Sequence, residues 1–373
     1  WSPDSSPSWE MQQVMKYVND EHELNFDTHE QLYTCSINFG SDFWASIWKY
    51  TNIIHSDPYD EVVDDINRMP GAKWFSGSRL NFAENLLRYK DDQLAIQFKG
   101  EGQPVRSLTY KELYNEVEIL ASALRNAGLQ EGDRVAGFLP NLPEAIIAML
   151  ATASVGAIWS ASSPDFGIKG VLDRFSQIKP KFLFAANGYF YNGKPFDSLE
   201  KLRGILKDLP SVEQVILVPY TNNDFDNSNI SHAVYYEDFV DRNNYSSLVF
   251  DQLPFNHPLY IMYSSGTTGL PKSIVHSAGG TLIQHLKELK LHVDLGRDDT
   301  IFYFTTCGWM MWNWLVSSLA TGATVVLYDG SPLHPDTSAM WKLAQDFKIS
   351  IFGTSAKFIT AREAAGERPK QKF

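Results

Sequence analysis

With 373 residues, of which 44% are hydrophobic and 13% aromatic, the chain can bury a large core and form more than one subdomain. Its formal net charge is −12 at pH 7, and Lys and Arg form no cluster, which argues against nucleic acid as a ligand because that binding depends on neutralised phosphates. The two cysteines, Cys35 and Cys307, provide neither a disulfide framework nor the spacing of a metal site.

The amino-terminal residues 1–7 lack the basic start and the apolar stretch of a signal peptide. Residues 145–161 carry no charge and are nearly long enough to span a membrane. However, Thr152, Ser154 and Gly156 interrupt them, which favours a buried helix that ends near Gly156 and is followed by a buried strand. We therefore predict a cytosolic protein without a membrane span.

Residues 1–100 are rich in aromatic side chains and predict a largely helical extension that precedes the main domain at residues 101–373. Within the extension, four apolar side chains recur at helical spacing, and we interpret this stripe as core packing. They are Phe43, Trp44, Ile47 and Trp48.

From about Leu108 the pattern alternates between helix and strand. Residues 110–126 predict an amphipathic helix that ends before Gly128, and residues 134–139 predict a strand. Strands with continuous apolar runs, separated by helices, are typical of a parallel sheet covered by helices on both faces. The sequence therefore predicts an α/β fold, with a surface loop near a subdomain boundary at residues 222–231.

Residues 145–161 and residues 312–328 show the same pattern, because each segment reads as an apolar helix, a glycine and then a strand. Two related α/β subdomains would produce this repeated pattern, and so would chance similarity between buried α/β units.

Four predicted strands in the second half of the chain end in small polar residues. Because open parallel sheets bind ligands at the carboxyl ends of their strands, we expect these ends to form one wall of a site. The strands and the ends that follow them are residues 261–263 and 264–266, 301–304 and 305–309, 325–328 and 329–331, and 349–352 and 353–355.

The first of these ends belongs to the segment 263–272, Tyr-Ser-Ser-Gly-Thr-Thr-Gly-Leu-Pro-Lys. Its glycines let the backbone approach a ligand, and backbone N–H groups in such a loop form an anion-binding concavity. Hydroxyl groups donate to anionic oxygens, and a lysine adds a full positive charge. The predicted phosphate-binding residues are Ser264, Ser265, Gly266, Thr267, Thr268, Gly269 and Lys272.

On composition alone, a stretch rich in Gly, Ser and Thr is more often a solvated loop. A Walker A loop is excluded because it needs glycine directly before lysine, where this chain has Pro271. The order of residues instead resembles the phosphate loop of the adenylate-forming enzymes, a superfamily that includes acyl-CoA synthetases and luciferases. Every specified position matches except the last, where Ser273 replaces the usual glycine.

Further segments resemble the acetoacetyl-CoA synthetases within that superfamily, and the resemblance runs from about Phe39 to the end of the chain. It implies the large-domain fold of the adenylate-forming enzymes, with parallel-type sheets covered by helices and with an acyl-CoA-synthetase-type extension before it. Acetyl-CoA synthetases share the Gly-Trp pair but usually lack the Met-Met-Trp-Asn-Trp that follows it here. The segments are residues 166–175, 276–281, 307–314 and 328–332.

The resemblance implies a ligase that joins acetoacetate to CoA in two steps, in lipid and ketone-body metabolism. ATP first converts the carboxylate into an acyl-adenylate with release of diphosphate, and the CoA thiol then displaces AMP. The implied partners are the small molecules acetoacetate, ATP and CoA, with Mg²⁺ as a cofactor. Lys272 and Thr268 are the implied catalytic residues.

Three other sites follow from the resemblance. Trp309 occupies the position where relatives place an aromatic ring between the acyl pocket and the pantetheine tunnel; the alternative is a core tryptophan at a strand end. Met310 and Met311 either line the acyl pocket or pack in the core. Tyr191 and Lys194 fall near a segment that contacts the CoA phosphate in relatives.

The family pattern also implies segments after Ile351 that this sequence lacks: a metal-binding Glu, a ribose-binding Asp and a small carboxy-terminal domain with a catalytic Lys. The chain also has no initiator Met. We therefore expect an incomplete chain that is poorly soluble and makes no acetoacetyl-CoA alone. The alternatives are a ligase for acetate or another short-chain acid, and a non-catalytic fragment or isoform.

Overall fold

The structure is a computed structural model that describes residues 9–222, 225–264 and 269–371. Within these ranges the α-helices are α1 Trp9–His22, α2 His29–Asn38, α3 Gly40–Tyr50, α4 Phe82–Leu86, α5 Tyr110–Asn126, α6 Pro143–Ser154, α7 Ile168–Ile178, α8 Leu199–Lys207, α9 Tyr236–Phe239, α10 Ala278–Lys287, α11 Met310–Ser317, α12 Ala339–Asp346 and α13 Ala356–Ala364.

The strands alternate with these helices along most of the chain. They are β1 Glu61–Val63, β2 Trp74–Ser76, β3 Arg79–Leu80, β4 Leu94–Gly100, β5 Val105–Thr109, β6 Arg134–Phe138, β7 Ile158–Ser162, β8 Phe182–Ala186, β9 Gly188–Tyr191, β10 Lys194–Asp197, β11 Gln214–Val218, β12 Ala233–Tyr235, β13 Leu253–Pro254, β14 Pro258–Ser264, β15 Lys272–Ser277, β16 Thr300–Tyr303, β17 Thr324–Asp329 and β18 Ile351–Gly353.

Two sheets organise the described residues. The larger has seven strands in the order β12-β11-β8-β6-β7-β14-β15, and the smaller has five in the order β18-β16-β17-β4-β5. All neighbouring strands are parallel except the edge strands β15 and β5, each of which forms an antiparallel pair with the strand before it in the chain. The predicted α/β fold with parallel-type sheets is confirmed.

The helices pack in layers on both sheets. The largest core cluster lies between the sheets and contains residues of α4, α5, α6, α10 and α11. A second cluster joins α7 and α8 to the opposite face of the seven-stranded sheet, and a third joins α12 to the five-stranded sheet. Phe43, Ile47 and Trp48 of α3 are buried in the largest cluster and Trp44 packs against it, so the interpretation of the stripe as packing is confirmed.

Local sequence signals explain the best-predicted elements. Thr109 and Glu112 form a reciprocal capping box at the start of α5, and the helix ends before Gly128, whose φ is +85°. α6 is buried on all sides, and Gly156 follows it with φ +77° before β7 begins. No helix among the described residues is long and apolar enough to cross a membrane.

The four predicted strand ends come from two sheets, because β14 lies in the seven-stranded sheet and β16, β17 and β18 lie in the five-stranded sheet. The expectation of a subdomain boundary near residues 222–231 is wrong. The loop at residues 222–231 joins β11 to β12, which are neighbours in one sheet, and therefore marks no subdomain boundary. The two segments with the repeated pattern, residues 145–161 and 312–328, do fall in different sheets, since one ends in β7 and the other in β17.

Candidate active site

The predicted phosphate loop connects β14 to β15. These strands form an antiparallel hairpin, which we call the phosphate hairpin, and its last pair places Ser264 opposite Lys272. The side chain of Lys272 is exposed and Ser264 is partly buried. Gly269 has a φ of +155°, and no atom of the described residues lies within 4 Å of the position that a Cβ would take. The predicted residues Ser265, Gly266, Thr267 and Thr268 lie outside the described residues.

Helix α7 supports the phosphate hairpin through Gln177. The Gln177 amide donates to the carbonyl oxygen of Pro271 at 2.8 Å, and the Ser273 hydroxyl donates to Gln177 Oε1 at 3.1 Å. These contacts could not be predicted from the sequence, because their partners are more than 90 residues apart. They hold the backbone on both sides of Lys272.

Replacing Gln177 by alanine is expected to loosen the hairpin without unfolding the protein. Each lost hydrogen bond is worth about 1 kcal/mol, so loss of both should make the amides of β15 exchange with deuterium roughly 30-fold faster. Hydrogen exchange measured by mass spectrometry tests this, with Ser176→Ala on the exposed face of α7 as the control. Equal exchange in the two variants would contradict the supporting role of Gln177.

Arg174, also on α7, places a second cation near the end of β14. Its guanidinium lies 5.7 Å from the centre of the Tyr263 ring and 4.8 Å from that of Phe166. The Tyr263 hydroxyl lies 3.2 Å from Ser160 Oγ, and burial raises the pKa of Tyr263 to about 12, so this tyrosine stays neutral.

The segment predicted to line the acyl pocket begins α11, next to β14. Trp309 caps the start of the helix, and its side chain is 58% exposed, so it is not a core tryptophan. Met310 is half-buried against the main core, with Sδ 4.0 Å from the Tyr260 hydroxyl, and Met311 is also half-buried.

Asn313 joins this segment to the phosphate hairpin. It is 1% exposed, and its Nδ2 lies 3.2 Å from the sulfur of Met262 in β14 and 3.5 Å from the Trp309 carbonyl oxygen. Its Oδ1 has no hydrogen-bond partner among the described residues. The predicted phosphate and acyl segments therefore lie side by side although their strands belong to different sheets.

Asn141 fixes the junction between the two sheets. Its Oδ1 accepts a hydrogen bond from Trp312 Nε1 at 2.9 Å, and its Nδ2 donates to the Tyr328 carbonyl oxygen at 3.4 Å. The Cys307 thiol is buried there and donates to the Pro140 carbonyl oxygen at 3.3 Å. Burial raises the pKa of Cys307, which makes it a packing residue and not a nucleophile.

The predicted CoA contacts, Tyr191 and Lys194, lie on a separate hairpin formed by β9 and β10. They face each other across its last pair, so both side chains lie on the same face, and both are exposed. The turn is Asn192-Gly193, with φ of +54° and +79°, as a two-residue type I′ turn requires. We call this the Tyr191 hairpin; its Asn-Gly pair is a local signal from which the hairpin could have been predicted, although the sequence analysis did not use it.

A buried carboxylate that sequence reasoning missed lies at the end of β17. Asp329 Oδ2 is inaccessible to solvent and has no hydrogen-bond partner within normal geometry among the described residues. Burial, reinforced by the charge of Glu101, raises the pKa of Asp329 to about 7, although contacts with the Tyr220 hydroxyl and the Phe190 amide oppose the shift. Asp329 is therefore substantially protonated near neutral pH.

Comparison with known proteins identifies the family. A family model described as AMP-binding enzyme matches residues 82–372, and one described as acetyl-coenzyme A synthetase N-terminus matches residues 29–86. The chain belongs to the AMP-binding enzyme family.

Individual relatives show which members of the family the chain resembles. The chain is 48% identical to an acetoacetyl-CoA synthetase from Danio rerio, over 99% of this chain and 56% of that protein. It is 42% identical to a malonamoyl-CoA synthetase from Penicillium aethiopicum, over 99% of this chain and 54% of that protein. Among solved structures, an acetoacetyl-CoA synthetase from Streptomyces lividans matches with a TM-score of 0.95 and 40% identity, over 100% of this chain and 58% of that chain. The chain thus spans little more than half the length of these relatives.

Proposed function

We propose that the native protein containing this chain is an acetoacetate–CoA ligase, which converts acetoacetate, ATP and CoA into acetoacetyl-CoA, AMP and diphosphate. The observation that carries this proposal is the 48% identity to an acetoacetyl-CoA synthetase over 99% of this chain. The adjacent phosphate and acyl segments support it, because an acyl-adenylate needs both in contact. A cytosolic location and the division at residue 100 remain predictions.

Adenylation solves the problem that oxide is too poor a leaving group for direct attack by a thiol. Negative charge develops on the α-phosphate and the departing diphosphate, so fixed positive groups and N–H donors accelerate this step. We assign Lys272 and the donors from Ser264 to Gly269 to the β- and γ-phosphates, with Thr268 assigned by resemblance. Arg174 adds positive charge near the same end of β14.

The Mg²⁺ that the resemblance implies would supply further positive charge to the phosphates when bound. Within residues 9–222, 225–264 and 269–371, no group of three or more His, Cys, Asp or Glu side chains could hold a metal ion.

For the second step, we assign Trp309 to the boundary between the acyl group and the arriving thiol, because it is exposed at the start of α11. The Tyr191 hairpin would hold the far end of CoA. Lys194 offers positive charge to a phosphate, and Tyr191 offers a ring beside it. Met310 and Met311 are assigned to the acyl pocket.

Acyl selectivity provides the test of this proposal. Acetoacetate and malonamate both carry a carbonyl group at the third carbon, whereas butyrate has the length of acetoacetate without the ketone. A site that hydrogen-bonds this carbonyl group should discriminate against butyrate more than about 200-fold in kcat/KM, beyond what size alone achieves. Thioester formation by the native protein with acetoacetate, malonamate, butyrate and acetate measures this ratio.

The four substrates separate the competing assignments. Preference for acetoacetate supports the proposal, and preference for malonamate would transfer the assignment to the substrate named for the Penicillium relative. Use of acetate or butyrate as efficiently as acetoacetate would leave only a short-chain acyl ligase. No thioester from any acid would favour the non-catalytic alternative.

A further inference from the structure

A buried glutamate lies where the Tyr191 hairpin meets the five-stranded sheet. Glu101 follows β4, and its side chain is only 4% exposed. Its Oε2 accepts hydrogen bonds from the backbone N–H of Asn192 at 3.1 Å and of Ser331 at 2.8 Å. Its Oε1 accepts from the N–H of Gly193, and His334 Nε2 lies 3.6 Å from the same atom.

These contacts tie segments of both sheets to one carboxylate. The Tyr191 hairpin follows β8 of the seven-stranded sheet, whereas Glu101 and Ser331 follow β4 and β17 of the five-stranded sheet. The Glu101 N–H also donates to the Asp329 carbonyl oxygen at 2.8 Å, which fixes the glutamate backbone to the end of β17. Hydrogen bonds to an ionised carboxylate are stronger than those between neutral groups, so the turn is held firmly.

Aromatic packing also holds the strands of the Tyr191 hairpin, whereas its turn is held by Glu101. The Phe190 ring lies 5.3 Å from that of Tyr220 at an interplanar angle of 87°. At the tip, a Cβ on Gly193 would lie 2.8 Å from the His334 ring, so the turn fits closely against this residue. The exposed side chains of Tyr191 and Lys194 flank the turn that Glu101 holds.

We propose that Glu101 is a positioning residue for CoA: it fixes the Asn192-Gly193 turn and, through that turn, the orientation of Tyr191 and Lys194 toward the coenzyme. The inference rests on the proposed function for its ligand, because the assignment of the Tyr191 hairpin to CoA belongs to that proposal. The anchoring of the turn depends only on the hydrogen bonds of Glu101.

The test uses Glu101→Gln in the native protein. Glutamine keeps one oxygen acceptor and turns an NH₂ group toward backbone donors, so the turn should loosen. We expect amides of residues 188–197 to exchange roughly tenfold faster, and KM for CoA to rise about tenfold, which corresponds to about 1.4 kcal/mol. Diphosphate exchange driven by acetoacetate, which needs no CoA, should change far less.

Two comparison variants make the result interpretable. Glu200→Gln removes the same charge from an exposed position on α8, and it should change neither the exchange of the amides of residues 188–197 nor KM for CoA. Lys194→Ala tests the proposed CoA contact directly. If Lys194→Ala raises KM for CoA and Glu101→Gln does not, the positioning role is overturned while the proposed CoA site stands. If neither raises it, the CoA site itself fails and the positioning role fails with it.

Two other results would overturn the inference. Unchanged exchange of the hairpin amides in Glu101→Gln would show that the carboxylate does not anchor the turn. Equal losses in diphosphate exchange and CoA turnover, with a lower melting temperature, would indicate a merely structural residue. Should Glu101→Gln fail to fold, Glu101→Asp keeps the charge, shortens the side chain by one methylene and carries the same measurements.

Discussion

Replacing Lys272 by alanine is expected to slow acyl-adenylate formation by about 10-fold to 150-fold. Loss of one charge-assisted hydrogen bond to a phosphate costs about 1.5–3 kcal/mol. Lys272 lies at the mouth of the phosphate hairpin with its side chain exposed, so the change should affect the free energy of unfolding by no more than about 0.5 kcal/mol. Diphosphate exchange driven by acetoacetate measures the step in the native protein.

Two variants control for charge and for the site. Lys272→Arg keeps the positive charge and should retain more activity than Lys272→Ala, although the planar guanidinium is not equivalent to an ammonium. Lys111→Ala removes an exposed lysine from the first turn of α5 and should leave the rate unchanged. A wild-type rate in Lys272→Ala would remove this lysine from the phosphate site.

Elements with strong local signals were predictable from the sequence. The capping box of Thr109 and Glu112 and the positive φ of Gly128 bracket α5, and both signals lie within a few residues of the helix ends. The apolar run at residues 261–263 likewise predicted β14, which extends three residues further toward the amino terminus and one toward the carboxyl terminus. Such features depend on neighbours in sequence, which a single chain displays directly.

The relations between elements were not predictable in the same way. Nothing in the run that forms β14 distinguishes the seven-stranded sheet from the five-stranded one, because both sheets bury apolar strands under helices. Gln177 reads as an exposed helical residue until Pro271 and Ser273 are placed beside it. The Glu101 contacts join three separate segments, and only the Asn192-Gly193 turn carried a local signal.

Replacing Asp329 by asparagine is expected to change how the free energy of unfolding depends on pH. The pKa of Asp329 in the folded protein is raised to about 7, against 3.8 for an ordinary aspartate, so the folded state binds a proton that the unfolded state has lost. Protonation of Asp329 therefore makes its full contribution to the free energy of unfolding below pH 3.8, and this contribution is lost as pH rises toward 7. Asn mimics the protonated side chain at every pH. Asp329→Asn should therefore gain stability relative to the wild type by about 1.4 kcal/mol per pH unit across this range, and by at most about 4 kcal/mol in all.

Denaturant unfolding of both proteins from pH 4 to pH 8 gives this difference, which should become level above pH 7. Asp336→Asn is the matched control, because Ser338 and Lys342 lower the pKa of exposed Asp336 to about 2. The pH dependence that Asp336 adds to the free energy of unfolding therefore lies entirely below pH 4. A difference of the same slope in both variants would show that the effect is not specific to burial at the sheet junction. A level difference for Asp329→Asn from pH 4 to pH 8 would mean that Asp329 is ionised in the folded protein, with water or a cation reaching the end of β17.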